Sequence, residues 1–180
     1  MNTIVRETRE TSIRVAVDPS AAGSISVTTP FPFLTHMLET LARYAGWTLE
    51  LNASGDLRHH ITEDIAITLG LALREAAPES RARYGDAFIP MDDALVHAAL
   101  DTGGRAYYEG RLPRLYEHFF RSLSDNLAMT LHVSVLRGRD RHHVVEAAFK
   151  AVGMALATAL RPAGAVFSTK GGVTIRREED

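Results

Sequence analysis

Cysteine is absent from the 180 residues. That removes a disulfide framework, a thiolate metal site and a cysteine nucleophile together. Lysine is nearly absent: Lys150 and Lys170 are the only two, so the basic charge is almost all arginine. Charge of one sign does not accumulate. The formal net charge is −2, which points to neither nucleic acid nor an anionic membrane as a partner. No apolar run reaches the length of a membrane span, and Met1 to Arg6 lacks the apolar core of a signal peptide, so a cytoplasmic location is expected. Otherwise the composition is that of a globular chain, with 46% hydrophobic and 23% charged residues. The length suits one domain with a sizeable core or two small fused halves.

Histidine, in contrast, is concentrated. His59-His60-Ile61-Thr62-Glu63 and His142-His143-Val144-Val145-Glu146 both read H-H-x-x-E, and each opens a long apolar helical pattern. Successive helical residues point about 100° apart, so adjacent imidazoles diverge. A glutamate three or four residues on shares a face with one or the other. One imidazole can therefore join the carboxylate on one ion while its neighbour reaches for a second. Imidazole and carboxylate without thiolate suit Mn, Fe, Co or Zn better than Ca or Mg. The single-metal protease signature, H-E-x-x-H, is a different spacing.

The alternation of Ile13, Val15 and Val17 predicts a half-buried strand, and Asp18-Pro19 a turn. Gly23 to Thr28 is expected to return as the second strand of a hairpin. Pro30 and Pro32 lead into a helix over Phe33 to Tyr44, with Leu34, Met37, Leu38 and Leu41 as its buried stripe. A strand over Trp47 to Ala53 precedes the first metal helix, His59 to Ala76. The second half repeats the plan. Strands are expected at Phe88 to Pro90, Ala94 to Leu100 and Ala106 to Glu109, then a helix over Arg114 to Asn126. A strand over Met129 to Leu136 and a second metal helix, His142 to Leu160, complete it. Both metal helices are apolar on most sides, as helices buried between layers are.

The halves also align residue by residue: Leu41 with Leu123, Thr48-Leu49 with Thr130-Leu131, Gly70 with Gly153, Ala72-Leu73 with Ala155-Leu156. The repeat boundary is set at about 1–84 and 85–180 of a single domain. This internal duplication makes His36 equivalent to His118, each about 23–24 residues before its motif. The ligand set becomes His36, His59, His60, Glu63, His118, His142, His143 and Glu146, which divides into two ions with three imidazoles and one carboxylate each. His97 and His132 lie in strand patterns without such equivalents and are read as structural.

In this combination the chain resembles the imidazoleglycerol-phosphate dehydratases of histidine biosynthesis. The resemblance rests on Arg6 to Thr11, Phe33 to Leu38, Gly55-Asp56 with the first H-H-x-x-E, Arg83-Tyr84-Gly85, Asp101 to Tyr107, Glu117 to Ser122, Thr130 to His132, His142 to Ala147 with Phe149-Lys150, and Ser168 to Gly171, in family order. Thr35 stands where the family has an Asp, the segment before His59 is about three residues shorter, and the loop before Glu117 is short. The resemblance implies an α/β fold, internally duplicated into two half-domains. Each would have a four-stranded sheet and two helices, with the helices sandwiched between the sheets. It implies two Mn²⁺ per active site and trimers that metal builds into a homo-24-mer, with ions shared between neighbouring subunits. It implies dehydration of D-erythro-imidazoleglycerol phosphate to imidazole acetol phosphate through a metal-bound imidazolate and a diazafulvene intermediate. Glu10 would be the acid/base, with Glu63 and Glu146 sharing proton handling. Substrate would be held by Glu10, Arg83, Arg105, Lys150, Ser168, Thr169 and Lys170. Lys150, seven residues after His143, is expected roughly 10–12 Å along the helix from the ring. Two rivals stand beside this reading: a dinuclear metallohydrolase, and a non-catalytic metal-buffering cage.

Overall fold

The computed structural model describes residues 1–164. Among them, two runs of elements follow one another in the same order. The first is β1 (Asn2–Glu7), β2 (Thr11–Asp18), β3 (Ile25–Thr28), α1 (Pro32–Ala45), β4 (Thr48–Gly55) and α2 (Arg58–Ala76). The second is β5 (Tyr84–Met91), β6 (Ala94–Asp101), β7 (Tyr107–Gly110), α3 (Arg114–Leu127), β8 (Thr130–Arg137) and α4 (Arg141–Ala159).

Each run makes one four-stranded sheet, in the orders β1-β2-β4-β3 and β5-β6-β8-β7. The expected hairpin between Gly23–Thr28 and the strand before it does not form. β1 and β2 make the hairpin, and β3 lies parallel to β4 at the far edge, Val27 opposite Leu51. The reason is connectivity. Parallel neighbours need a crossover, and α1 supplies it between β3 and β4 as α3 does between β7 and β8. β1 was not separately foreseen. Its inward positions are Asn2, Ile4 and Arg6, only half-buried, so its apolar alternation is weak. β5 is also longer than Phe88 to Pro90, running from Tyr84 to Met91.

Local sequence sets the helix ends. Pro32 opens α1, where its missing N–H costs nothing. Gly46 closes it in the left-handed region at φ 70°, and the Trp47 N–H returns to the Ala42 carbonyl. At the equivalent end of α3 the left-handed residue is Ala128, at φ 57°.

The helices fill the space between the sheets. α2 packs on β1 and β2, and α4 on β5 and β6. Each half's first helix then crosses to the other half's second, α1 onto α4 and α3 onto α2. Two glycines mark these crossings. A Cβ on Gly153 would stand 2.8 Å from the Leu41 carbonyl oxygen, and one on Gly70 3.0 Å from that of Leu123. Close helix approach therefore accounts for the aligned glycines. One continuous core results, centred on fully buried Trp47, Phe119, Phe120 and Phe149. The last three stack within 4.7–5.3 Å of one another. Among the described residues, no helix is long and apolar enough to cross a membrane.

Candidate metal centre

The first turns of all four helices gather at one end of the sandwich. Phe33 on α1 lies 5.1 Å from the His142 ring on α4 and 5.9 Å from Tyr116 on α3. Arg58 on α2 donates to the Tyr116 hydroxyl at 3.1 Å. Both H-H-x-x-E motifs therefore open on the same end.

Three His/Asp/Glu groups form among the described residues: Glu10, Asp56 and His60 within the first half, and two that reach across the halves. His36 of the first half meets His142 and Glu146 of the second, and His118 of the second meets His59 and Glu63 of the first. In each cluster the three ligand atoms lie within 4.8 Å of one another. Glu146 Oε2 is 3.3 Å from His36 Nε2 and 3.1 Å from His142 Nε2. Glu63 Oε2 is 3.5 Å from His59 Nε2, and the His59 and His118 rings stand 4.8 Å apart. Among the described residues, His118 Nδ1 is buried without a hydrogen-bond partner. The carboxylate uses the first histidine of each motif, four residues back on the same helical face.

The second histidine of each motif turns away, as adjacent helical residues must. The His59 and His60 rings are inclined 67°, those of His142 and His143 87°. His60 Nδ1 meets Asp56 at 2.9 Å and Glu10 at 3.3 Å. His143 Nδ1 meets Asp93 at 2.7 Å, and its Nε2 is 3.4 Å from Asp92. Within one chain, then, each cluster closes with two imidazoles and one carboxylate, and the third imidazole of the expected set faces elsewhere.

These contacts set the electrostatics. The hydrogen bond to Asp56 raises the His60 pKa, and that to Asp93 raises the His143 pKa. Asp93 falls far below the usual carboxylate range, through His143 first and then the backbone N–H groups of Arg139 and Asp140. For Glu146, burial pushes the pKa up, but hydrogen bonds from Lys150 and His36 outweigh it and leave the carboxyl lowered.

The remaining sequence-named residues fall in three places. Lys150 is not extended along the helix, away from the cluster. Its Nζ folds back one turn onto Glu146 Oε1 at 2.9 Å, an i,i+4 pair. Arg83 and Arg105 lie at the opposite end of the molecule. The Arg83 N–H bonds the Ala159 carbonyl near the end of α4, about 25 Å along the helix from His142, and its guanidinium pairs with Asp101 at 2.7 Å. The Arg105 carbonyl accepts from Thr130 at the start of β8, the strand whose other end leads into α4. Ser168, Thr169 and Lys170 lie outside the described residues. Thr35 bonds Thr29 at 2.9 Å rather than supporting His36. His97 stacks on Phe88 at 4.0 Å, and neither it nor His132 joins a cluster among the described residues. Asp56 stands in the sequence reading only within the Gly55-Asp56 segment, and neither it nor Asp93 is given a role there. For Asp93 the signal was present: its residue precedes β6 as Glu10 precedes β2.

Known proteins share this arrangement of chain and fold. The imidazoleglycerol-phosphate dehydratase family model matches residues 29–156. The curated dehydratase of Granulibacter bethesdensis is 43% identical over 95% of this chain and 97% of its own, and that of Pyrobaculum aerophilum 46% identical over 93% and 97%. The crystal structure of the Pyrococcus furiosus enzyme superposes with a TM-score of 0.87 at 40% identity, covering 94% of this chain and all of its own. The Staphylococcus aureus enzyme gives 0.78 at 33%, over 91% of this chain. Matched nearly end to end in sequence and in fold, the chain belongs to the imidazoleglycerol-phosphate dehydratase family of hydro-lyases.

Proposed function

We propose that the chain removes water from D-erythro-imidazoleglycerol phosphate to give imidazole acetol phosphate, using two Mn²⁺ per active site in a cytoplasmic homo-24-mer built from trimers. The observation that carries this is the pair of quasi-equivalent clusters, His36/His142/Glu146 and His59/His118/Glu63, opening on one end of the fold. Two imidazole nitrogens and a carboxylate oxygen within 4.8 Å fit a borderline divalent ion. Held by these residues, the ions would supply Lewis acidity to the substrate ring, which would favour its imidazolate form and loss of the neighbouring hydroxyl through a diazafulvene.

The chain's residues do the rest. His36, His59, His118 and His142 hold the ions with Glu63 and Glu146, and fix the ring's orientation. His60 and His143, facing out of their own clusters, complete the set from a neighbouring subunit. Glu10 is 57% exposed beside His60 and takes the proton from the carbon that bears the second hydroxyl, adjacent to the one that loses its own. The enol so formed tautomerises to the ketone. Glu63 and Glu146 share proton handling as far as ligation leaves them free.

The phosphate is held by Lys150 near the ions and by Arg83, Arg105, Ser168, Thr169 and Lys170. Arg83 and Arg105 stand too far from this chain's own clusters for one small substrate to bridge. They serve the site of another subunit, which supports an oligomer whose sites are shared.

Incubating the Mn²⁺-loaded protein with imidazoleglycerol phosphate tests the reading. An enolisable ketone product supports dehydration. Released inorganic phosphate supports a metallohydrolase instead, and no turnover with intact assembly supports a metal-buffering cage.

A further inference from the structure

The internal duplication places two carboxylates at equivalent points, Glu10 just before β2 and Asp93 just before β6. Strand registers agree: β1 pairs with β2 as β5 pairs with β6, Arg6 opposite Ile13 and Ile89 opposite Val96. Each carboxylate meets Nδ1 of the second histidine of its motif. Their circumstances differ. Glu10 stands 3.3 Å from His60, its carboxylate accepts no backbone N–H among the described residues, and Asp56 is the nearer partner of His60 at 2.9 Å. Asp93 is held at three points. One oxygen accepts the backbone N–H groups of Arg139, at 2.5 Å, and Asp140, at 3.1 Å. The other meets His143 Nδ1 at 2.7 Å.

A carboxylate at Nδ1 requires the hydrogen on that nitrogen and leaves Nε2 with its lone pair outward. Asp92, 71% exposed and 3.4 Å from Nε2, is the acidic group on that outward side and has room to swing aside. We infer that Asp93 is a positioning residue that fixes His143 as an Nε2 metal donor, while the equivalent Glu10 is released for proton transfer because Asp56 orients His60 in its place. The inference rests on the reading of His143 as a metal ligand.

Mn²⁺ titration of the chelator-stripped full chain, followed by the electron paramagnetic resonance of free Mn²⁺, tests it without turnover. In Asp93→Ala, one of the two ions per chain is expected to bind about 10–100-fold more weakly and the other unchanged. Asp93→Glu, which keeps the carboxylate, is expected to restore part of the lost affinity. Asp140→Ala removes a neighbouring tie at the start of α4, where Asp140 caps the His142 N–H at 2.7 Å. It should lower the melting temperature and leave both ions bound as before. If Asp93→Ala does not fold, Asp93→Asn keeps the size, cannot satisfy both sets of donors, and is expected to weaken the same ion. Unchanged affinity in a folded Asp93 variant, with wild type binding two ions, overturns this inference alone. Equal weakening by Asp140→Ala overturns it too, since the effect would then belong to the loop. Failure of wild type to take up two ions overturns the metal reading itself.

Discussion

The two halves share topology, registers and cluster geometry, yet they solve the same packing problem with different chemistry. In the first half Arg6 caps a buried polar pair, Thr11 and Asp64: Thr11 donates to Asp64, and half-buried Arg6 pairs with it at 3.1 Å. At the equivalent points of the second half stand Ile89, Ala94 and Ala147, all buried and apolar. The cluster carboxylates differ as well. Glu146 is 9% exposed and braced by Lys150, whereas Glu63 is 37% exposed and Ile67 occupies the place of that lysine. What the halves keep alike is the donor set at the helix starts and the glycine crossings that hold it. What they vary is the support around it. The duplication therefore separates the helix-start donors that both halves share from the support around them that the fold lets vary.

That comparison can be broken at its points of difference. The largest effect is expected at the carboxylates before β2 and β6. Glu10→Gln should lower turnover about 10²–10⁴-fold with metal content and assembly unchanged, as read by product formation beside metal analysis and size-exclusion chromatography.

Next is the polar group of the first half. Asp64→Ala leaves a partly exposed Arg6 and a buried Thr11 without their acceptor, and should cost about 2–3 kcal/mol in chemical denaturation. Arg6→Ile with Thr11→Ala and Asp64→Ala copies the second half and should recover most of that loss.

The crossings come third. Gly153→Ala drives a Cβ against the Leu41 backbone and should destabilise by about 1–3 kcal/mol, with Gly70→Ala behaving alike.

The smallest effects lie at helix ends and in pH. Ala128→Gly should stabilise by about 0.5–1 kcal/mol and Gly46→Ala destabilise by a similar amount, both read as shifts in denaturation midpoint. In the metal-free chain the raised imidazoles of His60 and His143 contribute stability fully present below the ordinary imidazole value of 6.5 and lost as pH rises through their folded values. The lowered carboxyls of Asp56 and Asp93 contribute above 3.8 and lose it as pH falls through their own folded values. The melting temperature of chelated protein should therefore be slightly higher at about pH 6 than at about pH 8, and Asp56→Asn with Asp93→Asn should flatten the difference.

The helices, and the grouping of His36, His59, Glu63, His118, His142 and Glu146 at one end, were legible in the sequence because their signals are periodic and repeated. His36 would have been one histidine on a mixed helix; its equivalence to His118 singled it out, and the structure brings each to the opposite half's motif. β3 was misassigned because a strand of four residues carries no statement of its partner, which α1 decides by returning the chain. β1 was obscured by Arg6 on its inward face, a charge whose acceptor Asp64 lies far along the chain. Lys150 was expected about two helical turns beyond the histidines, but a lysine four residues after a buried glutamate can as readily fold back onto it, as it does here. Adjacent histidines were expected to diverge, and they do. Which of the two the glutamate takes was left open by spacing that allows i+3 and i+4, and backbone geometry selected the latter.

Crystals grown with Mn²⁺ and measured at the manganese absorption edge test the central claim most directly. Two anomalous peaks per chain are expected, one against His36, His142 and Glu146 and one against His59, His118 and Glu63. Maps with both clusters empty and the histidines turned to bulk solvent would contradict it.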